Sequence, residues 1–222
     1  MTPIYRYERK FVFNASQYDY IINRIEINGW SRLFPERKIN NIYLDSIGKE
    51  SYYDSIDGNL RKAKYRIRWY GQTFPNNKII TSPVFETKVK INMLNYKILK
   101  TLKAIQLYNG MSYTKLKRQV FSHLSKILSE YESIKLFNKE IQFINNYERE
   151  YFINRDSSLR LTIDKNQNYF QIAPGIKHNA TDNSIVVELK YNLDKEYKNF
   201  FIRTNLSQNS KYRNGIDLLF GI

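Results

Sequence analysis

The sequence contains no cysteine, which excludes disulfides, thiolate metal sites and cysteine nucleophiles in one step. Histidine is nearly as scarce: His123 and His178 stand far apart without companions, so a histidine-rich metal site is excluded too. No stretch approaches the ~20 consecutive apolar residues of a membrane-spanning helix. The opening residues, MTPIYRYERK, show no apolar run after a basic head, so no secretory signal and a cytoplasmic location are expected. Neither a GxxxxGK(S/T) phosphate loop nor a GxGxxG dinucleotide fingerprint occurs. With 8 glycines and 5 prolines, no Gly/Pro/Ser-rich linker divides the chain, and residues 1–222 read as one domain.

What the chain does have is positive charge. Lys plus Arg number 36 against 21 Asp plus Glu, a net charge of +15 on an otherwise ordinary globular composition of 42 % hydrophobic residues. Such a surplus implies an anionic partner: nucleic acid, an acidic membrane surface or a phosphate-rich small ligand. Composition alone favours nucleic acid, which needs an exposed basic stripe. The placement of the charges decides among the three.

Most segments alternate with period two, the signature of strands. Residues 4–12 alternate, with Arg6, Glu8 and Lys10 on one face. Asn41 to Asp45 forms a short aromatic-aliphatic strand. After the Asp57-Gly58 turn signal, Lys64, Arg66, Arg68 and Tyr70 oppose Tyr65, Ile67 and Trp69. Pro83 introduces a strand with Glu86, Lys88 and Lys90 on one face, and residues 95–101 suggest another, carrying Lys97. Further on, Tyr147, Arg149 and Tyr151 alternate with Glu148, Glu150 and Phe152. Arg160, Thr162 and Asp164 oppose Leu159, Leu161 and Ile163, and Glu188 and Lys190 oppose Val187 and Leu189. Three segments have helical period. One follows an Asn14–Gln17 capping box with Tyr18, Ile21, Ile22 and Ile25 as its stripe. The second carries Leu116, Val120, Leu124, Ile127 and Leu128, and the third Leu193, Tyr197, Phe200 and Phe201. The expected fold is α+β: a closed antiparallel β-barrel of about eight strands with flanking helices.

Taken singly, a strand with one charged face is the outer wall of a sandwich, its charges in water. Taken together, these strands argue otherwise. Acid–base pairs recur at i and i+2 (Glu8/Lys10, Glu86/Lys88, Glu188/Lys190). Arginine, whose rigid fork of donors matches phosphate oxygens, recurs at Arg66, Arg68, Arg149 and Arg160. The opposite faces are apolar and aromatic, as helices packed outside the sheet require. The charged faces then point inward, into an interior wide enough for one small ligand. Such a ring of cations repels itself unless acids and a polyanion neutralise it. The acids could also hold Mg²⁺ or Mn²⁺ together with substrate phosphates.

These strings, in this order, resemble the VTC-type polyphosphate polymerase domain of the triphosphate tunnel metalloenzymes: YRYERKF at 5–11, NIYLD at 41–45, KYRIRWYG at 64–71, FETKVK at 85–90, YEREYF at 147–152, LRLTID at 159–164, VVELKY at 186–191 and SKY at 210–212. The resemblance implies a tunnel barrel that binds the ATP triphosphate and inorganic polyphosphate through basic residues, with Mn²⁺ or Mg²⁺ as cofactor. By position it implies Arg66, Arg68, Arg149 and Arg160 as catalytic clamps on the transferred phosphate. Lys10, Lys88, Lys97, Lys190 and Lys211 would bind the chain, and Glu188, assisted by Glu8, the metal. Tyr43, Tyr52 and Tyr53 are candidates to stack on adenine. The first-strand pattern RxExK, with Arg6 where the hydrolase and cyclase branch has glutamate, favours polymerisation of ATP-derived phosphate. Hydrolysis of triphosphates and non-catalytic sensing of polyphosphate or inositol phosphates are the alternatives. No nucleic acid is expected as partner, and any membrane association would come through a separate protein.

Overall fold

The computed structural model describes residues 6–92, 94–172, 179–192 and 206–222. The helix expected around Leu193 to Phe201 lies outside the described residues, as does His178. Among the described residues, eleven strands and five α-helices follow in order. The strands are β1 (Arg6–Phe13), β2 (Ser31–Ser46), β3 (Arg61–Tyr70), β4 (Ile79–Ile80), β5 (Val84–Ile91), β6 (Leu94–Thr101), β7 (Ile105–Gln106), β8 (Lys139–Ile153), β9 (Leu159–Phe170), β10 (Asn179–Asp182) and β11 (Ile185–Asn192). The helices are α1 (Tyr18–Ile27), α2 (Glu50–Ile56), α3 (Tyr113–Leu124), α4 (Glu130–Leu136) and α5 (Lys211–Phe220). Nine strands share one antiparallel sheet in the order β1-β11-β9-β8-β2-β3-β5-β6, with β10 added beside β9. β4 and β7 form a separate ribbon.

The alternation read from the sequence sets which way each strand faces. On one end of the sheet, Phe11, Phe13, Leu161, Ile163, Val187 and Leu189 turn outward and are covered by Ile21 and Ile25 of α1. On the other, Ile42, Leu44, Tyr65, Ile67, Trp69 and Phe85 are covered by Leu116, Val120 and Leu124 of α3. Each fully buried Leu, Ile or Phe contributes on the order of 1.5–3 kcal/mol, so these two layers dominate the driving force for folding. Gln17 reaches back to the Asn14 backbone N–H at 3.0 Å and starts the turn that leads into α1. Gly58 adopts φ +71° in the turn between α2 and β3, a conformation that costs an L residue its usual backbone wells.

The expected closed barrel is not formed. The sheet curls until β1 and β6 come close, and Lys88 of β5 reaches Glu8 of β1 at 2.9 Å, but among the described residues no ladder joins β1 to β6. Part of the free edge of β1 is taken by another segment. Leu206 bridges Phe11, and the Ser207 backbone N–H donates to the Lys10 carbonyl at 2.9 Å. Backbone groups that would have closed the ladder are thereby satisfied locally.

One end of the curled sheet is plugged by α5. Tyr212, Ile216 and Leu219 insert among Tyr43, Tyr52, Phe143 and Tyr169. The Tyr212 hydroxyl donates to Asp45 Oδ2 at 2.5 Å, and the Tyr52 hydroxyl to Asp217 Oδ1 at 2.5 Å. Asp45, fully buried on β2, also accepts from the Ser51 backbone N–H and hydroxyl, so one carboxylate ties β2, α2 and α5 together.

Candidate functional site

The charged faces point into a half-open cavity of about 460 Å³ within the curled sheet. β1 contributes Glu8 and Lys10; β3 contributes Lys62, Lys64, Arg66 and Arg68; β5 and β6 contribute Lys88, Lys90, Asn95 and Lys97. β8 adds Tyr147 and Arg149, β11 adds Glu188 and Lys190, and the segment Ser207–Ser210 leads to Lys211 and Tyr212 of α5. Eleven of the lining side chains are cationic and only two are carboxylates. Two unit charges 4 Å apart repel by about 4 kcal/mol at an effective dielectric of 20, so this concentration needs compensation.

Part of it comes from two acids set into the wall. Glu86, 2 % exposed on β5, accepts from Arg66 Nη2 at 2.5 Å and lies 3.6 Å from Arg68 Nη1 and 3.2 Å from Lys97 Nζ. Burial disfavours its charge, but these three cations outweigh that and hold the carboxyl far below the usual range. Asp164, fully buried on β9, accepts from Arg149 Nε at 2.5 Å and Nη2 at 2.6 Å, and from Lys211 Nζ at 2.5 Å. Against its burial, Arg149 and Lys211 push its pKa down to about 2. The arginine forks are therefore held by buried acids at the wall of the cavity that all three line.

The lysines are less compensated. Burial, Lys10 and Lys88 press Lys64 down to about 7. Burial lowers Lys97 to about 7, Glu86 opposing it and Arg66 and Arg68 adding to it. Burial brings Lys10 to about 8 in spite of Glu188. Positive charge is stored here at a cost that a bound polyanion removes.

Glu8 and Glu188 lie on neighbouring strands in diagonal register, Glu8 opposite Lys190 and Glu188 opposite Lys10. Both carboxyls are held ionised: burial opposes this, but Lys190, Lys10 and Arg149 dominate at Glu188, and Lys88 and Lys190 at Glu8. No group of three or more His, Cys, Asp or Glu gathers among the described residues. Two carboxylates alone fit a divalent cation that arrives with its phosphates, since Mg²⁺ commonly binds through one or two carboxylates plus substrate oxygens.

The cavity contains ten of the eleven residues named from the sequence: Arg66, Arg68, Arg149, Lys10, Lys88, Lys97, Lys190, Lys211, Glu8 and Glu188. Arg160 is elsewhere: it is exposed at the start of β9, opposite Lys190 and Ile153, and does not line the cavity. Arg149 pairs with Asp164, not with the neighbouring Glu148 or Glu150. Of the three tyrosines considered for adenine, Tyr43 lines the cavity wall, packed on Phe143 and Tyr212. Tyr52 is buried and bonded to Asp217, and Tyr53 is 46 % exposed outside the lining.

Compared with known families, residues 5–220 match the VTC domain. The chain belongs to the VTC domain family. No curated protein matches it. Among solved structures, a candidate adenylate cyclase from Bacillus halodurans shares 11 % identity at a TM-score of 0.47, covering 100 % of this chain and 88 % of that one. A candidate adenylate cyclase from Vibrio parahaemolyticus shares 12 % at 0.45, covering 88 % and 80 %. A candidate adenylyl cyclase from Hippeastrum, described as having a dominant triphosphatase activity, shares 12 % at 0.43, covering 84 % and 79 %.

In this VTC domain Lys62, Lys64, Lys90, Asn95 and Tyr147 are among the lining residues that were given no role from the sequence. Lys64 and Lys90 were already read on these charged faces, and the signal for Lys62 was available in the same alternation, two residues before Lys64. No helix among the described residues is long and apolar enough to cross a membrane.

Proposed function

We propose that this VTC domain, acting as one unit over residues 1–222, is an ATP-dependent polyphosphate polymerase. The observation that carries the reading is the cavity itself: guanidiniums of Arg66, Arg68 and Arg149 fixed by buried acids, amid a large surplus of lysines, in a half-open cavity of about 460 Å³. Phosphoryl transfer asks a protein mainly for positioning and for neutralisation of the charge on the transferred group. Arg66, Arg68 and Arg149 hold the γ-phosphoryl, with Lys97 and Lys211 beside them. A terminal oxygen of the growing chain attacks the γ-phosphorus, the bond to the β–γ bridging oxygen breaks, and ADP leaves with that oxygen. The attacking phosphate is already anionic, so no general base is needed, which suits a cavity without histidine. Glu188 and Glu8 are the residues that would hold Mn²⁺ or Mg²⁺. Bound there, the ion would add charge neutralisation and orientation to the triphosphate. Arg160, exposed at the start of β9, has no place at the transferred group in this reading.

Because the cations are gathered inside, the partners are ATP and inorganic polyphosphate and not nucleic acid, which requires an accessible basic stripe. ATP as donor places the domain on the cytoplasmic side, where a separate membrane protein is a candidate partner. Incubation with ATP and Mn²⁺, followed by gel separation of phosphate chains, tests the proposal. Long chains together with ADP are expected. Free phosphate without chains would reassign the protein to triphosphate hydrolysis, and tight polyphosphate binding without turnover would make it a sensor.

A further inference from the structure

The cations of the cavity are not distributed evenly. Around the arginines, Arg66, Arg68, Lys97, Arg149 and Lys211 each have a carboxylate partner in Glu86 or Asp164. Toward the Asp57-Gly58 turn the pattern changes. Lys62 stands directly opposite Lys90 in the β3–β5 ladder, and in the next row on that face Lys64 stands opposite Lys88, which in turn faces Lys97 on β6. Like charges directly across a ladder are destabilising. Among the described residues no carboxylate lies within ion-pair distance of Lys62, Lys64 or Lys90, and Lys64 Nζ is held only by the Ser210 hydroxyl at 2.9 Å and the ring of Tyr212. A sheet face that only had to be soluble would not place lysine opposite lysine in successive rows and direct both rows into a cavity.

We propose that Lys62, Lys64 and Lys90 form a second anion subsite that grips the trailing part of a linear polyphosphate while the arginines hold its reacting end. The inference rests on the polymerase reading and adds to it a direction and a substrate length. Four residues of strand separate Arg66 from Lys62, about 14 Å along β3, further than three corner-linked phosphates extend. The two halves also differ in kind. Ion-paired guanidiniums offer a fixed fork that fits one geometry, whereas ammonium groups on flexible stems are point charges that follow a moving chain. The arginine half positions the chain end, and the lysine half holds successive units as the chain advances by one phosphate. Burial and the facing Lys90 lower the Lys62 pKa, so an anion between them relieves a repulsion already present.

The test compares tripolyphosphate with long-chain polyphosphate on the full chain, using Lys62→Gln, Lys90→Gln and the double variant, with thermal melting to confirm folding. Both side chains are half-buried and unpaired by acids, so neither replacement opens a core. For the double variant, tripolyphosphate affinity is expected to fall less than about threefold through screened electrostatics. Long-chain affinity should fall more than about tenfold, the loss expected for charged hydrogen bonds. The slope of log K against log salt for the long chain should drop by about 1 to 2. Equal losses for the two ligands, or an unchanged long-chain affinity, overturns the subsite while leaving the polymerase reading intact. If the wild-type protein binds neither anion, the polymerase reading fails first and the subsite with it.

Discussion

Arg149 of β8 and Asp164 of β9 are direct partners across the ladder, and their side chains form a two-bond fork at 2.5 and 2.6 Å. The same carboxylate takes Lys211 Nζ, so an acid at the bottom of the cavity holds a cation from the sheet and another from the first turn of α5. The plug helix is thus part of the charge balance of the site as well as of its walls.

Replacing Asp164 by Asn should separate these two roles. The substitution keeps shape but takes the paired carboxylate from Lys211 and leaves Arg149 only Glu188, 3.7 Å away. Breaking one side of a buried pair costs about 3–5 kcal/mol. At the lower end, Tm should fall by about 6–12 °C for a chain of this size. Tripolyphosphate supplies the missing charge, so the ligand-induced rise in Tm should be larger in the variant than in the wild type. Differential scanning calorimetry with and without ligand reads both quantities; an equal ligand-induced rise would show that Arg149 and Lys211 do not meet the anion.

Binding should be coupled to protons. The folded, ligand-free protein holds Lys64 and Lys97 at about 7, against 10.5 for an ordinary lysine. Between those values the unfolded chain binds more protons, so these two residues make stability rise with pH across that window, and below about 7 their full penalty is present. A polyanion reverses the balance by favouring the ammonium form. At pH 8 binding should take up protons, and affinity should weaken as pH rises from about 7 toward 10. Titration calorimetry in two buffers of different ionisation enthalpy measures the uptake directly; identical heats in both buffers would contradict it.

How much of this was legible depended on whether local pattern and packing agreed. β3, β5 and β11 were readable because one face is apolar under helices and the other charged, so the period of two is clean. β2 was read only at Asn41 to Asp45. Its first half contains Pro35, which cannot donate to a ladder, and two irregularities between Arg32 and Arg37 absorb it. The start of β8 hides its period because both faces are covered, one by α5. Helix α5 was not foreseen at all. Its apolar stripe of Tyr212, Ile216 and Leu219 is interrupted by Gly215 and begins inside the SKY string, which drew attention to Lys211 alone. Closure into a barrel could not be read either, because whether two strand edges meet depends on long-range curvature, and here residues 206 and 207 take part of the edge of β1. The inward cations were legible because charge on one face and aromatics on the other leave few ways to fold.

Gly215 should prove sensitive to a single methyl group. A Cβ built there falls 2.4 Å from Phe143 Cζ and 2.9 Å from Tyr169 Cδ1, both ring atoms held in the core beneath α5. The helix would have to lift, moving Tyr212 from Asp45. Overpacking of this kind costs about 1–3 kcal/mol, which outweighs the gain in helix propensity of up to ~1 kcal/mol from Gly to Ala. Chemical denaturation of Gly215→Ala should therefore show a lower midpoint; an increase would mean that α5 does not seat this closely.

Glu188→Gln should divide anion binding from metal dependence. Glu188 sits among Lys10, Arg149 and Lys190, and its charge subtracts from the field that attracts phosphate. Without a divalent ion, neutralising it should tighten tripolyphosphate binding, by about tenfold if the effective interaction is near 1.4 kcal/mol, between the bulk-water and near-surface limits for charges 4 Å apart. With Mn²⁺ present the order should reverse, because the carboxylate that would share the ion with phosphate oxygens is gone, leaving Glu8 alone. Affinity measured with and without Mn²⁺ on both proteins gives four values. The wild type should gain from the metal and the variant should not. A variant that gains as much as the wild type places the ion away from Glu188, whatever its effect on turnover.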